Sequence, residues 1–192
     1  MLKEKLDSAF AFLQTKAPPL IGVDISSSAV KLVELSETGK GAYRLERYTI
    51  EPLAKDLVTD GNIVNLDQVS EALRRAHKRL GSRNKHIAMA LPTAMVITKK
   101  IIVPAGQTEE ELELQVEAEA NQYIPFALDE VNLDFQILGP APNNAEDVEV
   151  LIAASRKDRV QDRQGLAEAA GLKLLSRENF LRYQYMLVFT RR

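Results

Sequence analysis

Apolar positions recur along this chain at two periods, and the switches between them divide it into elements. Leu2, Leu6, Ala9, Phe10 and Leu13 fall at three- and four-residue steps with Lys and Glu opposite, which predicts an amphipathic helix over 2–16 ended by Ala17-Pro18-Pro19. Two roles stay open for it: a helix packed on its own domain, or an arm that docks on a membrane surface or a partner. Its polar face carries both signs of charge, which argues against strong lipid binding. The period then becomes two. Strands are predicted at 20–26, 29–36 and 42–50, with a turn at 37–41, so two hairpins form a meander. A polar loop centred on Asp60-Gly61-Asn62 leads into a helix over 66–80. Leu66, Val69, Leu73, Ala76 and Leu80 make its apolar stripe, Asp67 lies in its first turn and Gly81 stops it. A buried strand follows at 86–92. Meander, crossover helix and parallel strand make an α/β layer.

A second unit starts after Pro92-Thr93. Residues 94–103 alternate as a strand. An acidic helix spans 108–124, with Thr108 and Glu111 as a capping box and Leu112, Leu114, Val116, Ala120 and Ile124 as its apolar positions. Strands at 131–138 and 147–154 complete a strand–helix–strand–strand subdomain. The Gly139-Pro140-Ala141-Pro142-Asn143-Asn144 stretch between them is expected to be a long, mobile loop. Residues 157–170 return as a helix with Val160, Leu166, Ala169 and Ala170 on one face and Gly171 as its stop. A short strand is expected at 172–176 and an amphipathic or largely apolar helix at 178–189. The organisation is thus an arm over 1–19, a core subdomain over 20–93, an inserted subdomain over 94–156, a return to the core over 157–176 and a tail over 177–192.

Composition narrows the function classes. Of 192 residues, 45% are apolar, enough for a real core. The net charge of −2 offers no basic field for nucleic acid. With no cysteine, neither a disulfide framework nor a cysteine metal site can form, which fits a reducing cytoplasm. His77 and His86 have no partner at metal spacing and read as structural. No apolar run approaches the roughly 20 residues of a spanning helix, and the N-terminus lacks the apolar core of a signal peptide.

The candidate chemistry lies in the first hairpin. An apolar run ends at Asp24, Ser26, Ser27 and Ser28 form the turn, and a second alternating run follows. The turn's N–H groups and hydroxyls suit a phosphate, and Asp24 could hold a hydrated magnesium ion. Asp and Ser also make ordinary hairpin turns by bonding their own backbone, so both readings stand at this point. The glutamates Glu109, Glu110, Glu111, Glu113, Glu117 and Glu119 follow the solvent face of a helix and read as solvation rather than a metal site. Gln122-Tyr123-Ile124-Pro125-Phe126 is either packing where a helix meets a proline or the wall of a peptide groove.

Four segments together resemble one family. They are residues 22–32 (Gly-Val-Asp-Ile-Ser-Ser-Ser-Ala-Val-Lys-Leu), 96–101 (Val-Ile-Thr-Lys-Lys-Ile), 117–126 (Glu-Ala-Glu-Ala-Asn-Gln-Tyr-Ile-Pro-Phe) and 147–157 (Asp-Val-Glu-Val-Leu-Ile-Ala-Ala-Ser-Arg-Lys). Over 20–173 the chain is similar to the PilM family, actin-like cytoplasmic proteins of type IV pilus assembly related to FtsA. The third segment is the most specific to that family.

The resemblance implies an α/β actin-like ATPase (ribonuclease H-like) half-domain with the small subdomain inserted. It implies that ATP and Mg are bound in the full-length form, where Gly22, Asp24, Ser26, Ser27, Ser28 and Lys31 belong to the first phosphate loop. Lys31, seven residues after Asp24, would offset phosphate charge, and Asp24 would orient Mg through water. The implied partners are the N-terminal cytoplasmic tail of PilN, received between core and inserted subdomain, and other pilus platform proteins. The membrane is reached only through PilN. The implied location is cytoplasmic, at the inner face of the bacterial inner membrane. Where the family continues with an Asp-Val-Glu signature and a second domain, this chain has residues 174–179, Leu-Leu-Ser-Arg-Glu-Asn, and stops near half the family's length. A truncated half is expected to bind MgATP weakly or not at all. The competing expectation is an ATPase or sugar-kinase-type enzyme of the same superfold, inactive in this form.

Overall fold

The computed structural model describes residues 20–39 and 42–174. The helix expected over 2–16 and the one over 178–189 lie outside the described residues. The elements are β1 (Ile21–Ile25), β2 (Ala29–Gly39), β3 (Ala42–Pro52), β4 (Val58–Thr59), β5 (Asn62–Ile63), α1 (Leu66–Leu80), β6 (His86–Met89), β7 (Ile97–Pro104), α2 (Glu109–Tyr123), β8 (Val131–Ala141), β9 (Asn144–Arg156), α3 (Lys157–Ala169) and β10 (Lys173–Leu174).

The core sheet has the order β10-β6-β1-β2-β3, with β1–β2–β3 antiparallel and β6 parallel to both β1 and β10. Alternation decides its faces. Ile21 and Val23 on β1 and Val30 and Leu32 on β2 point to one side, where Val69, Leu73 and Ala76 of α1 and Leu166 and Ala167 of α3 bury them. Helix α1 starts where the Asn65 side chain accepts the Gln68 N–H at 3.0 Å and ends at Gly81, left-handed at φ 70. Two buried carboxylates tie this layer together. Glu34 of β2 accepts from Arg47 (2.8 Å) and Ser82 (2.8 Å). Glu51 of β3 meets Arg75 (2.9 Å) and Arg79 (3.0 Å) of α1.

Residues 97–156 build a separate sheet, ordered β7-β9-β8, on which α2 lays Leu112, Val116 and Ala120. The capping box is present: the Thr108 hydroxyl accepts the Glu111 N–H, and Glu111 accepts the Thr108 N–H at 2.9 Å. Each sheet has its own apolar cluster. The α/β half-domain with an inserted strand–helix–strand–strand subdomain is therefore the architecture observed.

Several expectations need correction. The polar loop at 58–63 is a two-residue hairpin, β4–β5, with Asp60 (φ 49) and Gly61 (φ 79) both left-handed at its tip. The supposed mobile loop at 139–144 is a tight turn, because β8 runs to Ala141 and β9 starts at Asn144, opposite it. Residues Thr93–Met95 form a single 3-10 turn before β7 rather than part of the strand. Leu66, Leu114 and Ala169, assigned to apolar faces, are exposed instead. Each lies near a helix end or on a flank that neither neighbouring sheet reaches.

Candidate functional site

The serine turn is built by the antiparallel pairing of β1 with β2, in register from Ile21↔Glu34 to Ile25↔Val30. Ser26 closes it: its N–H donates to the Ala29 carbonyl at 3.0 Å, and its hydroxyl donates to that carbonyl and accepts the Ala29 N–H. The Ser28 carbonyl accepts the Leu53 N–H at 2.8 Å and ties the turn to the end of β3. Ser27 and Ser28 remain exposed. Beyond the turn lies an open cavity of about 690 Å³. Ser26, Ser27 and Ser28 form one wall, and Lys55, Asp56, Thr59, Asp60, Gly61 and Pro92 form the other.

The six residues expected to act together divide here. The three serines line the cavity. Gly22 and Asp24 fall on the outer face of β1 by alternation, and Asp24 sits opposite Lys31 with Lys31 Nζ 3.1 Å from Asp24 Oδ2. Gly22 is not a close-approach glycine, since a Cβ there would lie 3.8 Å from the Val33 carbonyl, an ordinary contact. Lys55 and Asp56, which carry no recognisable spacing, are the charged neighbours that sequence reasoning missed. The donor set suits an anion: hydroxyls and turn N–H groups with Lys55 opposite. Asp56 and Asp60 on the same wall fit an anion that arrives with its cation. Among the described residues no three His, Asp or Glu side chains gather as a metal site, so magnesium would be held through water and phosphate.

A second cavity, of about 320 Å³, opens between the core and the inserted subdomain. It lies where β7 and β8 start and β9 ends. Met95, Ile97, Phe126, Val131 and Ala154 supply apolar walls, and Asp60, Asn62, Arg156 and Arg159 supply polar ones. The β4–β5 hairpin is fixed to α3, another element of the core: Arg159 of α3 bonds Asn62, and Arg163 Nη2 donates to the Gly61 carbonyl at 2.8 Å. Arg163 is 5% exposed, and burial pushes its guanidinium below its ordinary value against the opposing pull of Asp162. From the other side, the Ser155 hydroxyl donates to the Met95 carbonyl at 2.8 Å and Lys157 to the Asp129 carbonyl at 2.6 Å.

The segment at 122–126 packs at one residue and lines the cleft at another. Ile124 is buried packing. Phe126 lines the cleft with the Arg156 guanidinium 5.7 Å over its ring, and Tyr123 stands outside under Lys99 at 4.3 Å. The glutamates of α2 lie on its solvent side, all exposed except the half-buried Glu119. His77 Nε2 is 2.7 Å from the Asn84 carbonyl, and His86 is exposed beside the Asn84 side chain. No helix among the described residues is long and apolar enough to cross a membrane.

The family described as type IV pilus assembly protein PilM matches residues 22–177. A solved structure described as a PilM-PilN type IV pilus biogenesis complex is 30% identical over 82% of this chain, with a TM-score of 0.71. The present chain covers 46% of that one, so it spans about half the length of the relative it matches. The cytoplasmic domain of EpsL, an inner-membrane component of the type II secretion system of Vibrio cholerae, is 13% identical over 82% of this chain and 55% of its own, with a TM-score of 0.49. A Bacteroides thetaiotaomicron protein with an actin-like ATPase fold is 11% identical over 87% and 55%, with a TM-score of 0.36. The chain belongs to the PilM family, and the α/β half-domain with an inserted subdomain expected from its sequence is the architecture observed.

Proposed function

We propose that this member of the PilM family serves type IV pilus assembly as a peptide-receiving scaffold, and that its cleft takes the N-terminal cytoplasmic tail of a PilN-type protein. The observation that carries this is the cleft itself. It joins an apolar floor (Met95, Ile97, Phe126, Val131, Ala154) to two arginines at its rim, and both of its walls come from within residues 60–159. An extended tail would seat apolar side chains on Phe126 and Ile97 and bond its backbone along the free edge of β7. The solved PilM-PilN complex supports a partner of this kind. Through that partner the protein would sit in the cytoplasm at the inner face of the inner membrane, among other platform proteins, with the membrane reached only indirectly.

The serine turn supports a second element of the reading. In a full-length form, Ser27, Ser28 and the turn N–H groups would hold the phosphates of MgATP; Asp24 and Lys31, which bond each other here, would part so that Asp24 orients Mg through water and Lys31 offsets charge. With few contacts on one side only, this chain is expected to bind MgATP weakly or not at all, and no hydrolysis is expected of it.

The test is a titration of the folded chain, checked by circular dichroism, with a peptide copied from the PilN tail. Saturable binding that Phe126→Ala weakens supports the scaffold. No binding by a folded chain overturns it. Binding of MgATP at micromolar affinity would overturn the expectation of a weak nucleotide site.

A further inference from the structure

The serine cavity and the cleft share a wall, and that wall is the tip of the β4–β5 hairpin. Asp60 lines both spaces. On its N-terminal side Thr59 borders the serine cavity, and on its C-terminal side Asn62 borders the cleft. The segment packed against the tip divides in the same way. Pro92 lines the serine cavity and Met95 lines the cleft, and the Met95 N–H donates to the Pro92 carbonyl at 2.8 Å. Gly61 lies against both, since a Cβ there would stand 2.6 Å from Pro92 Cγ and 3.2 Å from Met95 Cε. Contacts this close leave little slack, so a displacement of the tip that widens one space narrows the other.

We propose that the hairpin tip couples the two spaces, so that a peptide seated in the cleft pushes Asp60 toward the serine turn and closes that cavity to an anion. The inference rests on the peptide reading of the cleft and adds its regulation. The tip has two side-chain anchors on α3: Arg163 on the Gly61 carbonyl, and Arg159 on the Asn62 side chain. Arg159 is itself a cleft residue, and Asp158 reaches its Nε only at 3.9 Å. Its partner Asn62 is a neutral amide, which a peptide carboxylate outbids because a bond between two charges is the stronger one. Arg159 thus serves Asn62 in the free chain and the peptide in the complex. This is the difference in contacts between two states that any ligand-driven shift requires. The peptide occupies the side of Met95 and Asn62, so the released tip moves to the side of Ser26, Ser27 and Ser28. The Asp60 carboxylate then stands nearer the hydroxyls that would take a phosphate, and like charges disfavour each other there. By linkage an anion on the serines weakens the peptide by the same factor.

The chain has no cysteine, so a single introduced thiol reports on the cavity without nucleotide having to bind. Ser27 is exposed in the serine turn, and Leu114 is exposed on the flank of α2 away from both spaces. In the full chain, a PilN-tail peptide should slow alkylation of the Ser27→Cys thiol about threefold, through lost access and the approach of a carboxylate that disfavours the thiolate. Alkylation of Leu114→Cys should not change. Asp60→Gly suits the left-handed φ of 49 and removes the shared side chain, so adding it to Ser27→Cys should abolish most of the slowing while the peptide still binds. Calorimetry on the same samples reads peptide binding, and circular dichroism reads folding. Bound peptide with an unchanged or faster Ser27→Cys rate overturns the coupling and leaves the scaffold reading standing. Undiminished slowing in the Asp60→Gly form also overturns it, because the effect then bypasses the shared wall. A folded chain that binds no peptide removes the scaffold reading and this inference with it.

Discussion

Lys31 and Asp24 bond each other across the β1–β2 ladder, Nζ to Oδ2 at 3.1 Å, seven residues apart in sequence and directly opposite in register. The spacing that suggested two separate phosphate-loop roles is the spacing of a cross-strand pair. Both side chains are about half exposed or more, so the pair contributes less than about 1 kcal/mol to folding. Lys31→Met is therefore expected to shift the melting temperature by no more than a few degrees, read by thermal scan. A larger loss would mean that the pair is structural and not held available for a ligand.

Gly61 is a backbone requirement of the β4–β5 hairpin. Its φ is +79, and a Cβ there would lie 2.6 Å from Pro92 Cγ. Its carbonyl also receives Arg163. Gly61→Ala is expected to destabilise the chain by about 1–3 kcal/mol through left-handed strain and the clash together. Denaturant unfolding measures this. An unchanged midpoint would mean that the β4–β5 hairpin can move off Pro92 freely.

What the sequence made legible was whatever depends on local periodicity. Helix α1, its Gly81 stop, the Thr108–Glu111 box and the three-strand meander follow from spacing and capping residues a few positions apart. The β4–β5 hairpin was missed because its strands have two residues each, too short for alternation to register, although Asp60-Gly61 is itself a hairpin signal. The 139–144 turn was misread because two prolines suggested a loop, whereas Pro140 sits at the end of β8, where a missing N–H is tolerated, and Pro142 sits in the turn itself. The cleft was illegible for a different reason. Its walls come from 60–62, 94–97, 126–131 and 154–159, and no pattern within any one of these shows that they meet. The Lys55 and Asp56 wall of the serine cavity is hidden in the same way.

Arg163 is nearly buried with Nη2 on the Gly61 carbonyl and Nη1 without a hydrogen-bond partner among the described residues. An incompletely paired buried cation is a weak source of stability, while an empty space in its place is costly. Arg163→Met should therefore be milder than Arg163→Ala, with the alanine variant losing about 2–4 kcal/mol. Urea unfolding of both variants decides the point. Equal losses would mean that the hydrogen bond to Gly61, and not the packing of the side chain, holds the hairpin to α3.

The cap of α2 gives the inserted subdomain an acid dependence. The Thr108 backbone N–H, and after it the Thr108 hydroxyl, hold the Glu111 carboxyl below its ordinary value. A depressed carboxylate contributes stability that is present above its unfolded value and is lost as pH falls through the folded one. The contribution should fade below the ordinary glutamate range near pH 4.5. Thr108→Ala should lower stability at neutral pH, and the part of that loss that comes from the hydroxyl's bond to the Glu111 carboxylate should disappear under acid conditions where Glu111 is protonated. Thermal scans of both forms across that range test the sign. A loss independent of pH would confine the cap to the Thr108 hydroxyl alone.

Phe126 is 38% exposed, and Arg156 stacks over it at 5.7 Å while pairing with Asp158 at 2.7 Å. Removing an aromatic anchor from a peptide site costs about 1–2 kcal/mol of binding, about tenfold in Kd. Phe126→Ala should weaken a PilN-tail peptide by that factor and, because the residue is only 38% exposed in the free chain, should also lower the melting temperature modestly. Leu114→Ala, on an exposed flank of α2 away from the cleft, should change neither. Calorimetric titration of the three forms reads the difference. If Phe126→Ala and Leu114→Ala bind alike, then the peptide, if it binds at all, is held elsewhere, and the edge of β7 beyond Ile97 becomes the next surface to probe by substitution at Ile102, which is 56% exposed on that strand.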